Sequence, residues 1–230
     1  LSRKKWENRR GGQMRAGNQV DLTLYLVTDS TYHTTESLLR TVEEACKGGV
    51  TLVQLREKEA GGKEYLEKAI LVKKITDRYG VPLIIDDRVD VAIACDAAGV
   101  HVGASDLPVA VARKLLGPEK IVGATAKTVE VAKKAWEEGA DYLGVGAIYP
   151  TTTKVITILT KPETLKAICE TVPIPVTAIG GLNAENLEIL RGCKMDGVAV
   201  VSAIMKADDP KRAAEHLKEK ICKLKDTEGK

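Results

Sequence analysis

Eight short apolar runs recur along the chain, with starts roughly 17 to 33 residues apart, and stretches of helical period fill the intervals. The runs are Leu24–Thr28, Thr51–Leu55, Pro82–Ile85, Gly99–Val102, Lys120–Ala124, Tyr142–Ile148, Ile174–Ile179 and Gly197–Val201. Helical patterns cover Glu36–Lys47, Lys63–Tyr79 with Leu66, Ala69 and Ile70 on one side, Val89–Ala97 and Val109–Leu116 behind Pro108. They continue with a face marked by Val129, Ala132, Ala135 and Trp136, then Pro162–Glu170, then Ala184–Arg191 capped by Asn183, and a last helix striped by Ala213, Ala214, Leu217, Ile221 and Leu224. Strands that alternate one for one with helices predict parallel crossovers, and eight of them predict a single (β/α)8 TIM barrel. An open doubly wound sheet is the rival arrangement.

Composition agrees with strands buried on both faces. Phe is absent, so Val, Ile, Leu and Ala must fill the core. Residues 1–20 carry six Lys or Arg against one Glu, which leaves 29 basic and 31 acidic residues elsewhere. Residues 1–20 therefore read as a basic, disordered extension, and 21–230 as the barrel domain. A slightly acidic body with few aromatics excludes a nucleic-acid-binding domain, and no stretch approaches the length of a membrane span. Five scattered cysteines without C-x-x-C spacing read as reduced thiols in a cytoplasmic protein.

In such a barrel the chemistry belongs at the C-terminal ends of the strands, and there the sequence changes character each time. Those ends read Gln54-Leu55-Arg56-Glu57-Lys58, Asp86-Asp87, Asp106, Thr125 to Lys127, Thr151-Thr152-Thr153-Lys154, Gly180-Gly181 and Ser202. Asp86, Asp87 and Asp106 suit a hard divalent cation such as Mg2+, which takes one or two carboxylates together with substrate phosphates. A regular strand points Asp86 and Asp87 to opposite sides, so one of the two would join Asp106; the plainer alternative makes Asp87 and Asp106 helix caps. Arg56, Lys58 and Lys154 are cations from different elements, as a pyrophosphate grip needs, or else solvated surface charges. The three hydroxyls after Pro150, the glycine pair and a short helix opened by Ser202 suit a phosphorylated ligand. Thr125 can donate to a phosphate or serve as a turn residue, and His101 reads as a core histidine bonded to backbone.

Taken together, Leu24–Thr28, Gln54–Lys58, Pro82–Arg88, Gly99–Gly103 with Asp106, Tyr149–Lys154, Ala178–Gly181 and Gly197–Ser202 resemble the thiamine phosphate synthase family over about residues 22–208. The resemblance implies a Mg2+-dependent coupling of a hydroxymethylpyrimidine diphosphate to a thiazole phosphate, with pyrophosphate released. It implies that Gln54, Arg56, Lys58 and Lys154 hold the pyrimidine diphosphate and that Asp87 and Asp106 bind Mg2+. Leu55, Glu57, Asp86 and Thr152 join the substrate-binding positions, and Thr125 stands where the family usually has Ser. Thr151, Thr153, Gly181, Val201 and Ser202 would bind the thiazole phosphate. Arg56, Lys58 and Lys154 would act in the chemical step. Partners are then small molecules, with homo-oligomerisation open. The chain departs from the family pattern at Asp86, usually Asn, and at Ala104, Lys127 and the apolar Val155–Ile158. Rival readings are a thiazole tautomerase on the same barrel, a non-catalytic precursor-binding protein and a phosphate-binding isomerase; the last lacks a convincing acid/base pair.

Overall fold

Each apolar run contributes a strand of four to six residues, and most of the helices begin at a hydroxyl-bearing residue or a proline. The computed structural model describes residues 20–31, 33–151 and 159–226. In order these form β1 (Leu24–Val27), α1 (Thr35–Lys47), β2 (Leu52–Leu55), α2 (Gly62–Arg78), β3 (Leu83–Asp86), α3 (Val89–Ala94), β4 (Gly99–Val102) and α4 (Val109–Leu116). The second half runs β5 (Ile121–Ala126), α5 (Val129–Glu137), β6 (Tyr142–Val145), α6 (Pro162–Thr171), β7 (Val176–Ile179), a 3-10 turn (Leu187–Leu190), β8 (Gly197–Val200), α7 (Ser202–Met205) and α8 (Pro210–Asp226). Thr34 and Thr128 cap α1 and α5 by accepting from Ser37 N and Val131 N, and Pro162 occupies the first turn of α6.

The strands pair in sequence order, all parallel, and β8 closes onto β1 through Leu24–Val198 and Leu26–Val200 register. The expected (β/α)8 barrel is therefore the fold, and the open sheet is excluded. Among the described residues no helix is long and apolar enough to cross a membrane. The basic segment 1–20 lies outside the described residues except for Val20.

Period-two alternation splits the strand residues into two cores. Outward residues such as Leu24, Leu26, Val53, Leu55, Ile85, Val100 and Val122 meet the helices, where Leu38, Val42, Val72, Ile168, Leu217 and Ile221 cover them. Inward residues Tyr25, Val27, Leu52, Ile84, Ile121, Tyr142 and Ala199 fill the barrel itself. Space inside is made by glycine: a Cβ at Gly123 would lie 2.2 Å from the Tyr142 ring, and one at Gly99 1.9 Å from Ile121 O. The base is tied by side chains, with Thr51 Oγ1, Asp141 Oδ2 and Asp196 Oδ2 accepting from Leu24 N, Val122 N and Val176 N at the starts of β1, β5 and β7. Asp141 in turn pairs with the part-buried Arg113 guanidinium.

Local corrections have local causes. The helix expected over 184–191 is only the 3-10 turn Leu187–Leu190. Asn183 and Asn186 spend their side chains on turns, Asn183 Oδ1 accepting from Glu185 N and Asn186 Oδ1 from Asn183 N, each at 2.9 Å. The third helix stops at Ala94 and not Ala97, whereas β5 runs on to Ala126 and carries Thr125 within the strand. Ile70 and Trp136 face solvent; Tyr65, Val72 and Ile75 do the packing on α2, and Ala132 and Ala135 on α5.

Overpacking a filled core typically costs 1–3 kcal/mol, and the Tyr142 ring has no room to yield. Gly123→Ala should accordingly destabilise the fold by about 3 kcal/mol in urea titration. Gly61→Ala, where an added Cβ meets nothing within 4 Å, should change stability by less than about 1 kcal/mol.

Candidate functional site

The end of β2 obeys the strand's alternation. Gln54, Arg56 and Lys58 turn inward, while Leu55 and Glu57 turn outward. Leu55 is wholly buried in the outer core. The Glu57 carboxylate, 4% exposed, is taken up by Lys68 Nζ of α2 at 2.9 Å and by the Ser30 hydroxyl. Of the five residues expected to meet substrate, these two turn their side chains to the helix layer, where they anchor the loop.

Strand β3 delivers its acids differently from the expectation of opposite faces. Asp86 ends the strand pointing inward, and Asp87 takes a positive φ of 62°, which breaks the pleat and swings its carboxylate back to the same side. Lys58 Nζ consequently reaches both, lying 2.9 Å from Asp86 Oδ2 and in contact with Asp87 Oδ2. Arg56 Nε stands 3.8 Å from Asp86 Oδ2. Asp87 N donates to His101 O across to β4, and the Asp106 carboxyl lies close enough to Asp87 for that acid to influence its ionisation. Asp106 is folded onto β4 by its own turn, Oδ2 accepting from Gly103 N at 2.7 Å. Neither acid caps a helix, because α3 and α4 begin after Arg88 and Pro108 without a side-chain cap.

The electrostatics follow from this crowding. Desolvation raises the pKa of Asp86 against the pull of Lys58 and Arg56. Burial also raises Asp106, and the adjacent Asp87 carboxyl adds to it. Desolvation alone would lower the Lys58 pKa, but Asp86 and Asp87 outweigh it and hold the ammonium above its usual range. Two neighbouring carboxyl groups, one resisting ionisation, are a donor pair that a hard divalent cation would relieve. Among the described residues no three His, Cys, Asp or Glu side chains surround a common point, so the fit is to a metal held by two acids and completed by other oxygens.

A buried phenol locks this corner. Tyr65 Oη, from α2, donates to Leu55 O at 2.6 Å and accepts from Asp86 N at 3.2 Å, which fastens the ends of β2 and β3 together. Further along the rim, His101 bonds to side chains and not to backbone: Nδ1 faces Tyr142 Oη at 3.1 Å and Nε2 faces Thr125 Oγ1 at 3.0 Å. Desolvation lowers the His101 pKa to about 4 against partial support from Asp106, so the ring is neutral at pH 7. Gln54 Nε2 donates to Tyr25 Oη at 2.6 Å. Sequence reasoning passed over Tyr25, Tyr65 and Tyr142, although the signal existed: the chain has six Tyr and no Phe, and these three are the largest fully buried side chains among the described residues.

On the opposite flank the loop after β6 continues the sheet, Ile148 N and Tyr149 N donating to Ile179 O and Gly180 O at 3.0 Å. Gly181, at φ 67°, lies so close that a Cβ there would sit 2.9 Å from Pro150 O, which brings the half-buried Thr151 beside the glycine pair. Val201 precedes α7, its carbonyl accepting from Met205 N, and Ser202 opens that helix at the surface. Thr152, Thr153 and Lys154 lie outside the described residues.

A closed parallel barrel whose strand ends gather cations and acids on one flank and a glycine cradle on the other defines an enzyme of the phosphate-handling (β/α)8 class. The comparisons narrow it. The family model for thiamine monophosphate synthase matches residues 24–204, and the chain belongs to that family. It is 58% identical over 192 residues to thiamine-phosphate synthase 2 of Streptococcus pneumoniae, covering 84% of this chain and 91% of the relative. It is 51% identical over 200 residues to the thiamine-phosphate synthase of Methanobrevibacter smithii, covering 87% and 95%. A solved thiamine phosphate pyrophosphorylase from Pyrococcus furiosus superposes with a TM-score of 0.80 at 39% identity, covering 89% of this chain and 98% of that one.

Because burial raises the Asp86 pKa, its contribution to stability is greatest in acid, below the ordinary aspartate value, and falls as pH rises through the elevated folded value. Asp86→Asn should therefore raise the melting temperature at pH 7 while leaving it nearly unchanged below pH 4. Removing one negative charge from beside Lys58 should lower KM for an anionic diphosphate substrate about fivefold, the scale of a screened contact of ~1 kcal/mol.

Proposed function

We propose that this chain couples 4-amino-2-methyl-5-(diphosphooxymethyl)pyrimidine to a thiazole phosphate and releases pyrophosphate, at the rim formed by β2 to β5 and the loops after β6 to β8. The observation that supports it best is the meeting of Lys58 and Arg56 with Asp86, Asp87 and Asp106 on adjoining strand ends in a member of this family. Arg56 and Lys58 bind the diphosphate, exchanging carboxylate partners for phosphate oxygens, and Lys154 adds a third cation by sequence resemblance. Gln54 holds the pyrimidine. Thr125 donates to the diphosphate.

Mg2+, when held by Asp87 and Asp106, supplies charge neutralisation that makes the diphosphate a better leaving group. The bond from the pyrimidine methylene carbon to the diphosphate oxygen breaks with its electron pair on oxygen, and the thiazole nitrogen lone pair forms the new C–N bond. The cations stabilise the departing charge, and no base has to remove a proton. Thr151, Thr153, Gly181, Val201 and Ser202 seat the thiazole phosphate so that its nitrogen faces the methylene carbon, which converts an encounter of two substrates into a positioned reaction. The scattered thiols fit a cytoplasmic location.

A pyrophosphate-release assay with both substrates and Mg2+ should show turnover that EDTA abolishes and added Mg2+ restores. Asp87→Ala should lower kcat/KM by about 100-fold or more. Full coupling activity in that variant would remove the metal assignment, and binding of both substrates without turnover would replace the synthase reading with that of a precursor-binding protein.

A further inference from the structure

Five polar side chains form one continuous string through the barrel interior, with no charged side chain among its members. Gln54 of β2 donates to Tyr25 of β1 at 2.6 Å; Tyr25 Oη meets Tyr142 Oη of β6 at 2.7 Å; Tyr142 Oη meets His101 Nδ1 of β4 at 3.1 Å; and His101 Nε2 meets Thr125 Oγ1 of β5 at 3.0 Å. The rings are packed to suit: Tyr142 stands edge-on to Tyr25 at 5.9 Å between centroids and lies 5.5 Å from His101. Gly123 on β5 leaves the space Tyr142 occupies, and a Cβ at Gly144 would come within 3.3 Å of His101 Cε1. The barrel gives up interior volume at two positions to hold this arrangement.

The string has a direction, and proton counting sets it. Each phenol carries one proton and is 1% exposed or less, so that proton must have a partner in the protein. Tyr25 accepts from the Gln54 amide, so its own proton goes to Tyr142 Oη. The Tyr142 proton then has only His101 Nδ1 to meet. With Nδ1 accepting, the imidazole carries its proton on Nε2 and donates to Thr125 Oγ1, which leaves the threonine's proton directed away from the string. Its two ends, Gln54 and Thr125, are the two residues assigned above to the pyrimidine and the diphosphate of one substrate.

We infer that Tyr25, Tyr142 and His101 are positioning residues that hold Thr125 as an outward-pointing hydrogen-bond donor for the diphosphate and orient it from the pyrimidine end through Gln54. This rests on the synthase reading for the identity of the ligand and on the hydrogen-bond geometry alone for the proton order. Reversal of the order, with Gln54 accepting, would put the imidazole proton on Nδ1 and turn the Thr125 proton inward, away from the anion.

The full chain contains three imidazoles, so 15N-labelled histidine in the whole protein gives three ring patterns, and His33→Gln and His216→Gln remove the other two in turn. The expected result at pH 7 is a neutral His101 protonated on Nε2; protonation on Nδ1 overturns the inference without reference to activity. In Tyr142→Phe the Nδ1 acceptor loses its donor, so its 15N resonance should move to that of an unbonded pyridine-type nitrogen, and kcat/KM for the pyrimidine diphosphate should fall about tenfold, mostly through KM, with KM for the thiazole phosphate changed less than twofold. Thr125→Val should give the same loss, Thr125→Ser should restore it, and the double variant Tyr142→Phe with Thr125→Val should lose no more than either alone. An Nδ1 resonance unchanged in Tyr142→Phe, or losses that multiply in the double variant, would overturn it; Tyr25→Phe paired with Thr125→Val supplies the same test of additivity if Tyr142→Phe does not fold. Absence of pyrophosphate release by the parent protein would defeat the functional reading and leave the tautomer measurement to judge the string.

Discussion

Closure of the sheet is the constraint on which everything else rests. Once Leu24 and Leu26 pair with Val198 and Val200, every strand of the parallel set ends on the same circle. Residues about 150 positions apart in sequence then share one rim, and inward side chains of β1, β2, β4, β5 and β6 come within hydrogen-bonding reach inside it. An open sheet with the same strands would leave Tyr25 and Tyr142 on distant strands and break the bond between their hydroxyls. The hydrogen-bonded interior and the closed topology are therefore mutually dependent.

Charge at the rim is balanced before any substrate arrives. Lys58 is held between Asp86 and Asp87, and Arg56 stands behind it. Such an arrangement favours ligands that bring both a metal and an anion, since either alone would leave part of the set unpaired. Tyr65 makes the balance rigid by stitching the two strand ends through one hydroxyl. Rigidity is what a site for a dissociating bond needs, because charge that develops on a leaving group is best met by dipoles and cations already in place.

Much of this was legible in the sequence, because a buried parallel strand must be apolar and must stop where polar residues begin. Gln54, Arg56 and Lys58 could be read as a set from period two alone, and the same rule read strictly would have turned Leu55 and Glu57 outward. Asp87 could not be read that way. Its positive φ goes with a tight turn closed by Arg88 N donating to Asp86 O and with the bond from Asp87 N to His101 O, neither visible in a dipeptide of two aspartates. Asn183 resembled a helix cap because the residue types that cap also build turns, and only the neighbouring Asn186 decides between them. Ile70 and Trp136 show the limit of apolar striping, since both face solvent on helices whose buried faces are made by other residues. The buried tyrosines were visible as a composition, Tyr without Phe, but their partners came from five different strands.

The alternation at the end of β2 has a consequence for how such a chain can diverge. Rim charge and structural anchorage are carried on interleaved positions of one pentapeptide, with Glu57 gripping Lys68 on one side while Arg56 and Lys58 meet the Asp86 carboxylate on the other. Exchange of an even-numbered residue there alters the chemistry on offer without renegotiating the docking of α2. A lineage built on this barrel can explore new ligands at the rim while its architecture stays under separate selection.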